Sequence, residues 1–401
     1  MVAFHRLVYS NSRRGNYTKC FRYAWFDFQG LRPKNTPIYF ITGGIFHNIL
    51  EDVYSLDGTL NRGHLSDFYA ARVKEEKVNI ANETMELDEV NDRHAAVEIL
   101  YDVLHANYDV LKYQRDRYEF LALEIPIRLS LWRRGKKYYL RYIPLESPEK
   151  PMNEYVLVLD GLAHDRQVGR DVVFEHKTTG DQLAGYEAGL KWNFQSIGNI
   201  LGGRLFLDHH NRPGLTTIVY NVFRKKAPRK PKPLQCKKCK GKKEVKGEPC
   251  QLCDATGVGG ISLNSGETTP HLIDQFIDEH PFLLDTLWYE EEFKTVKSKL
   301  LQRSHPYHMA IEKVLMGHKA SAFVKDAYAV FRDMRRRSRD EEAWFRNLSR
   351  DCKKCPYRFV CFEDSAAMRR SYYDKVTEDS EYPYEFTLHK SNFINGGFCN
   401  V

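Results

Sequence analysis

The chain has 401 residues, 42% of them hydrophobic and 13% aromatic, which is enough for a sizeable core and too apolar for a disordered segment. A formal net charge of +8 favours an anionic partner, of which nucleic acid is one. Met1 to Ser10 are mixed and polar, unlike a secretory leader, and no window approaches the roughly 18 uncharged apolar residues of a membrane span, so the reading is a cytoplasmic protein with no membrane partner.

The first forty residues mix polar and aromatic side chains around Cys20. Thr42-Gly43-Gly44 then opens an apolar, helix-like run from Ile45 to Val53. From about Asp92 to Glu119, apolar residues recur at helical spacing (Ala96, Ile99, Leu100, Val103, Leu104), which predicts one long helix. The period then changes. Phe120 to Ile127, Leu129 to Trp132 and Tyr138 to Ile143 read as strands, with a turn at Arg133 to Lys136. Tyr155 to Leu162 and Asp171 to Lys177 are two more, joined by a polar turn. A helix is expected from about Tyr186 to Leu201 and a strand over Thr216 to Arg224. Residues Arg224 to Gly260 are dominated by Lys, Gly, Pro and Cys and read as an insertion with its own small fold. His271 to Ala367 reads as mostly helical. The chain thus divides at 1–223, 224–260 and 261–401.

Val156-Leu-Val-Leu-Asp160 and Val172-Val-Phe-Glu175-His176-Lys177 are apolar strands that each end in polar groups. A hairpin-length connection makes them neighbours, so Asp160 and Glu175 can converge at one end of a sheet. Carboxylate oxygens suit Mg²⁺ or Mn²⁺, which keep waters and bind substrate phosphate. Glu175 and Lys177 lie two apart on a strand and face the same side. That places an ammonium where it can position an attacking water or stabilise developing charge. Taken alone, an Asp followed by Glu-x-Lys is common by chance. The company of Gly43, His47 and Gln195 sharpens it.

In this order the motifs resemble the RecB-like branch of the PD-(D/E)XK nucleases: a GxxxH helix at Gly43 and His47, a strand ending in Asp160, the Glu175-x-Lys177 strand, and a QxxxY helix beginning at Gln195. The resemblance implies an α/β core of the restriction-endonuclease type, a mixed sheet flanked by helices. It implies metal ligation by His47, Asp160 and Glu175, with the His176 carbonyl as a fourth ligand. Lys177 would serve the nucleophilic water and Gln195 the substrate or the site. Position 199 is Asn where the family usually has Tyr. Glu124, on the preceding strand, fits either a supporting metal carboxylate or a solvated edge residue. The implied activity is phosphodiester hydrolysis on DNA, as an exonuclease in recombination, repair or phage and CRISPR-type processing. The implied setting is a prokaryotic or phage-infected cell, with a helicase or recombination protein as partner. The rival from another class is a non-catalytic DNA-binding or adaptor protein that keeps the fold; an inactive relative would usually have lost an acid or the lysine, and Asp160, Glu175 and Lys177 are all present.

Nine cysteines carry further chemistry. In a reducing compartment CxxC pairs point to metal rather than disulfides. Cys352, Cys355 and Cys361 form a C-terminal run, and Cys20 is the natural fourth ligand far away in sequence, while Cys399 stands alone. Four thiolates hold either a [4Fe–4S] cluster or Zn²⁺. The set resembles the iron–sulfur staple of AddB-type and CRISPR-associated RecB-like nucleases, which implies the cluster, tying the two ends of the chain together.

Cys236, Cys239, Cys250 and Cys253 form two CxxC pairs, each soon followed by glycine, a strong signal for structural Zn²⁺. Around them Lys225, Lys226, Arg229, Lys230, Lys237 and Lys238 offer phosphate contacts. A charge run is often just a solvated surface, but attached to a candidate nuclease and folded about zinc this one reads as a grip on nucleic acid. CxxCxG also resembles the DnaJ zinc domain, but two pairs and heavy lysine content argue against an apolar client site. Arg332 to Arg339 is a second basic cluster, equally readable as a solvated face or a DNA contact.

Overall fold

The computed structural model describes residues 38–82, 87–149, 153–180, 194–226, 231–261, 270–285 and 307–337, with shorter pieces at 8–9, 20–21, 24, 26, 31–33, 151, 182–183, 229, 268, 352, 355, 357, 361 and 373–375. Two short strands come first, β1 (Val8–Tyr9) and β2 (Leu31–Pro33), followed by α1 (Ile38–Ser55), α2 (Arg62–Asn82), α3 (Leu87–Ala106) and α4 (Tyr108–Arg117). The sheet is then laid down by β3 (Tyr118–Arg134), β4 (Lys137–Ile143), β5 (Glu154–Asp165) and β6 (Arg170–Thr179). A crossover through α5 (Phe194–His209) leads to β7 (Thr217–Arg224). Four small strands follow in the cysteine-rich insertion: β8 (Pro233–Gln235), β9 (Glu244–Val245), β10 (Glu248–Pro249) and β11 (Val258–Ile261). Last come α6 (Pro270–Glu279), β12 (His308–Val314), α7 (Gly317–Arg337) and β13 (Tyr373–Lys375).

Six strands run in the order β12-β7-β6-β5-β3-β4, and β1 adds in parallel to the start of β5. Within the six, β6 and β7 are the parallel pair, which is why a helical crossover lies between them; the rest are antiparallel. The architecture is therefore mixed α/β, a mixed sheet flanked by helices. On one face α1 to α4 pack Phe46, Ile49, Leu100 and Leu104 against Phe120, Phe174, Val219 and Phe223. On the other, α5 and α7 pack Ile200, Phe206, Phe323 and Phe331 against Ile127, Leu157, Val173 and Ile218. Burying each such side chain contributes about 1.5–3 kcal/mol. Coverage on both faces explains why all eight residues of β7 are buried.

Several expectations are revised. The long helix over 92–119 is two: Asn107, buried, folds its amide back onto the Val103 carbonyl (2.6 Å) and ends α3 before α4 begins. The strands at 120–127 and 129–132 are one, because Pro126 falls where β3 pairs with β5 only and β4 has not yet begun, so no ladder donor is lost there. The helix after Lys177 is described from Phe194, eight residues later than Tyr186, and runs to His209; 184–193 lie outside the described residues. The segment after the insertion, expected to be mostly helical, also supplies a strand among its described residues: β12 pairs along the whole of β7, and α7 packs on the same core as α5. Elements on both sides of the insertion thus build one sheet. No helix among the described residues is long and apolar enough to cross a membrane.

Candidate active site and metal centres

The hairpin β5–β6 is paired from Asp165 with Arg170 as far as Gly161 with Phe174. Asp160 and Glu175 are the next residues on each strand, set where the two strands part. The opening brings in three neighbours. Across β3, the pairs Leu123 with Gly161 and Ile125 with Leu159 place Glu124 opposite Asp160. Glu124 has φ of 46°, a left-handed conformation that costs a non-glycine residue about 1–3 kcal/mol and re-aims its side chain. From α1, Gly43 approaches Thr178 of β6, and His47 follows one turn later, its Nδ1 4.0 Å from Asp160 Oδ2. One ligand atom each from His47, Glu124 and Asp160 lies within 4.8 Å of the others.

The electrostatics of this group suit a cation. Burial, with the Lys177 charge adding, lowers His47 to about 4, so the imidazole is neutral and its unprotonated ring nitrogen is available as a ligand. Burial pushes Glu124 up to about 7, with Glu51 and Glu175 adding to it. Asp160 is held well above the usual carboxylate range by burial first and by the Glu175 charge second, against the pull of Lys177. Carboxylates crowded this closely beside a neutral imidazole form a donor set that could hold a divalent cation.

Glu175 is held differently. Its side chain is 1% exposed, and it accepts from Gln195 Nε2 at 2.7 Å on one oxygen and from the Asn199 amide on the other, with the Lys177 ammonium also on Oε1. Gln195 and Asn199 lie one turn apart on α5, which comes close to the sheet because it presents glycine there. A Cβ on Gly198 would meet the Tyr155 hydroxyl at 2.5 Å, and one on Gly202 would meet Leu157 at 2.8 Å. So close an approach leaves room for an amide at 199. Position 199 is therefore filled by an amide bound to Glu175.

The main chain between the acids is fixed as well. The His176 N–H donates to Asp160 Oδ2 at 2.6 Å. The buried His176 ring stacks on Tyr54 and accepts from Asn221 Nδ2 at 3.0 Å, and Asn221 is bound in turn by Gln114 and His308. This polar network ties α1, α4, β6, β7 and β12 behind the site, and sequence reasoning did not find it.

The insertion holds a second centre. Cys236, Cys239, Cys250 and Cys253 are all buried and close enough to hold a metal ion. Their knuckles turn through Gly241 and Gly257, both at positive φ, and a Cβ on Gly257 would lie 2.8 Å from the Gly241 carbonyl oxygen. Burial pushes the Cys239 thiol up, but the Lys243 and Gly241 amides and the neighbouring thiols outweigh it and bring it down to about 7. Burial and the other three sulfurs raise Cys253 to about 12.

A third group of cysteines lies where the N- and C-terminal segments meet. Burial raises Cys355 to about 11, and Cys361, Cys20 and Cys352 act on it electrostatically, but their sulfurs do not gather within 4.8 Å of one another as those of the insertion do. Phe26 packs on Tyr357 at 5.5 Å, and β13 pairs with β2. No protein-family model matches the chain, and no curated protein matches it in sequence.

Of the predicted phosphate contacts, Lys237, Lys238 and Arg229 are exposed. Lys225 is half-buried at the end of β7, donates to Thr42 Oγ1 at 3.1 Å, and is lowered by burial. It borders the α1 side of the candidate site rather than the insertion's surface. Lys226 is half-buried beside it. Lys230 and Cys399 lie outside the described residues, as does Arg339 of the second basic cluster.

Proposed function

We propose that the protein is a metal-dependent DNA nuclease of the PD-(D/E)XK type, acting as an exonuclease. The observation that carries this reading is the convergence of His47, Glu124 and Asp160 within 4.8 Å, beside the Glu175–Lys177 pair. Neutral His47 and the two carboxylates would hold Mg²⁺ or Mn²⁺; the Glu175 carboxylate, expected as a third acidic ligand, lies outside that group with its oxygens taken by Gln195, Asn199 and Lys177. The cation, when bound, supplies Lewis acidity toward a phosphate oxygen and a water of lowered pKa. Lys177 sets its ammonium where negative charge develops on the phosphate. Gln195 and Asn199 fix the Glu175 carboxylate, and the His176 N–H fixes that of Asp160.

Two further centres support the chain around this site. Sulfur separations of 3.6 Å and 3.9 Å among the insertion cysteines fit the edge of a tetrahedron with Zn–S of 2.3 Å, about 3.8 Å. That favours Zn²⁺ there. Cys20, Cys352, Cys355 and Cys361 would hold a [4Fe–4S] cluster that clips the chain ends together. The exposed lysines of the insertion would grip phosphates. The test is degradation of end-labelled linear and closed circular DNA with Mg²⁺ or Mn²⁺: loss of linear substrate from its ends is expected, and no metal-dependent loss of either substrate removes the proposal.

A further inference from the structure

The outer end of the sheet carries a feature that the nuclease reading does not use. β3 pairs with β5 only as far as Ser130 with Glu154, whereas its pairing with β4 continues to Arg134 with Lys137. The hairpin tip thus projects beyond the sheet. The cross-strand pairs Ser130 with Arg141, Trp132 with Tyr139, and Arg134 with Lys137 share one of its faces. On the opposite face, Tyr138 packs on Tyr328 of α7 and Arg133 lies over the Tyr138 ring. The first face is open: Trp132 is 38% exposed and Tyr139 36%, and their rings stack at 5.3 Å with an interplanar angle of 11°.

Charge and chemistry select the occupant. Along this face a stacked ring pair stands between Arg141 on one side and Arg134 with Lys137 on the other, at steps of about 7 Å, two strand residues. Glu149 pairs with Arg141, whereas Arg134 and Lys137 make no ion pair among the described residues. Between Arg141 and Arg134 no aliphatic side chain lies on this face, so the tip offers little to a bilayer or an apolar protein surface. Aromatic rings interleaved with cations suit a strand whose bases can stack while its phosphates meet the charges. Bases in a duplex cannot reach the rings, so the strand must be unpaired.

We propose that this hairpin face binds single-stranded DNA. The nuclease reading supplies only the destination: Trp132 lies eight residues beyond Glu124 on the same strand, about 27 Å along it.

The test uses the full chain and fluorescence anisotropy of a labelled oligothymidylate, with Ca²⁺ in place of Mg²⁺. Trp132→Ala should weaken binding about tenfold, as loss of one stacking ring does, and Trp132→Tyr should restore most of it. Arg134→Ser with Lys137→Ser should flatten the slope of log affinity against log salt by about 1.4, two cations at about 0.7 each. Trp132→Ala should leave affinity for a blunt duplex unchanged. Wild-type affinity and slope in these variants overturn the proposal, as does equal loss on duplex, or loss confined to anionic lipid vesicles. The readout needs no cleavage. A strand bound through Trp132 but never hydrolysed with Mg²⁺ or Mn²⁺ would remove the nuclease reading alone.

Discussion

Asn199 and Glu175 are joined by a buried hydrogen bond in which the amide Nδ2 donates to Oε2, while Gln195 donates to Oε1 from one turn earlier. One helix face therefore occupies both oxygens of a carboxylate that has almost no contact with water. Asn199→Ala should lower the unfolding free energy by about 1.5–3 kcal/mol, the range for a hydrogen bond to a charged group, read from urea denaturation. Asn199→Tyr should cost more, because the Gly198 and Gly202 contacts hold α5 too close for a ring and overpacking adds about 1–3 kcal/mol. A tyrosine variant as stable as wild type would show that the helix can move away from the sheet.

The crowded acids set activity against stability. Asp160→Ala, Glu175→Ala and Lys177→Ala should each reduce DNA cleavage on the order of 100-fold or more, with circular dichroism unchanged. Glu124→Gly separates the two effects. It removes one of several like charges that face each other without a cation, and it places glycine at φ of 46°, where no Cβ is strained. Without metal its melting temperature should rise, by the equivalent of about 1 kcal/mol, while cleavage falls. A less stable variant with full activity would assign Glu124 a purely structural part.

How much of this was readable beforehand depends on what each residue needs. Asp160, Glu175 and Lys177 stand out because an apolar strand ending in charge, and a spacing of two, are local signals. Glu124 depends on its register with Asp160 across β3 and β5, which a single strand does not encode. Asn199 breaks a motif in the sequence, and its partner becomes visible only once the glycines of α5 touch the sheet. β12 is hard to read from sequence although His308 to Val314 alternates in burial, because its pairing with β7 spans the whole insertion. The two cysteine sets were legible as sets, since thiolate chemistry demands four ligands whatever fold supplies them.

The cluster proposed at Cys20, Cys352, Cys355 and Cys361 should give the protein a colour. Protein purified without oxygen should be brown and contain iron and sulfide at about four each per chain. Cys20→Ser should lose that absorbance and lower the melting temperature, because the clip closes a loop of more than 300 residues between Cys20 and Cys352. Zinc in place of iron at these four cysteines would make the clip a four-thiolate zinc site, with the stability effect kept and the colour absent.

The insertion should stand or fall with its metal. Its buried interior is the four cysteines themselves, with Val245 and Phe282 packed beside them, which is too little apolar surface to fold so small a unit. Metal binding must then supply the folding free energy, and Cys236→Ser, by opening the site, should unfold the segment locally. If the segment grips DNA, that variant should weaken binding and flatten its salt dependence, as should deletion of 224–260. Lys237→Ser with Lys238→Ser tests the charge without touching the fold, since both side chains are exposed. Each lost phosphate contact should reduce the slope of log affinity against log salt by about 0.7 to 0.9. Cleavage of short, saturating DNA should survive in Cys236→Ser and in the double lysine variant, because His47, Glu124, Asp160, Glu175 and Lys177 all precede the segment; the deletion also removes Lys225, which meets Thr42 beside the site, and is read for binding alone. Wild-type affinity and slope throughout would leave the lysines as a solvated surface and the zinc module as a scaffold or a site for a protein partner.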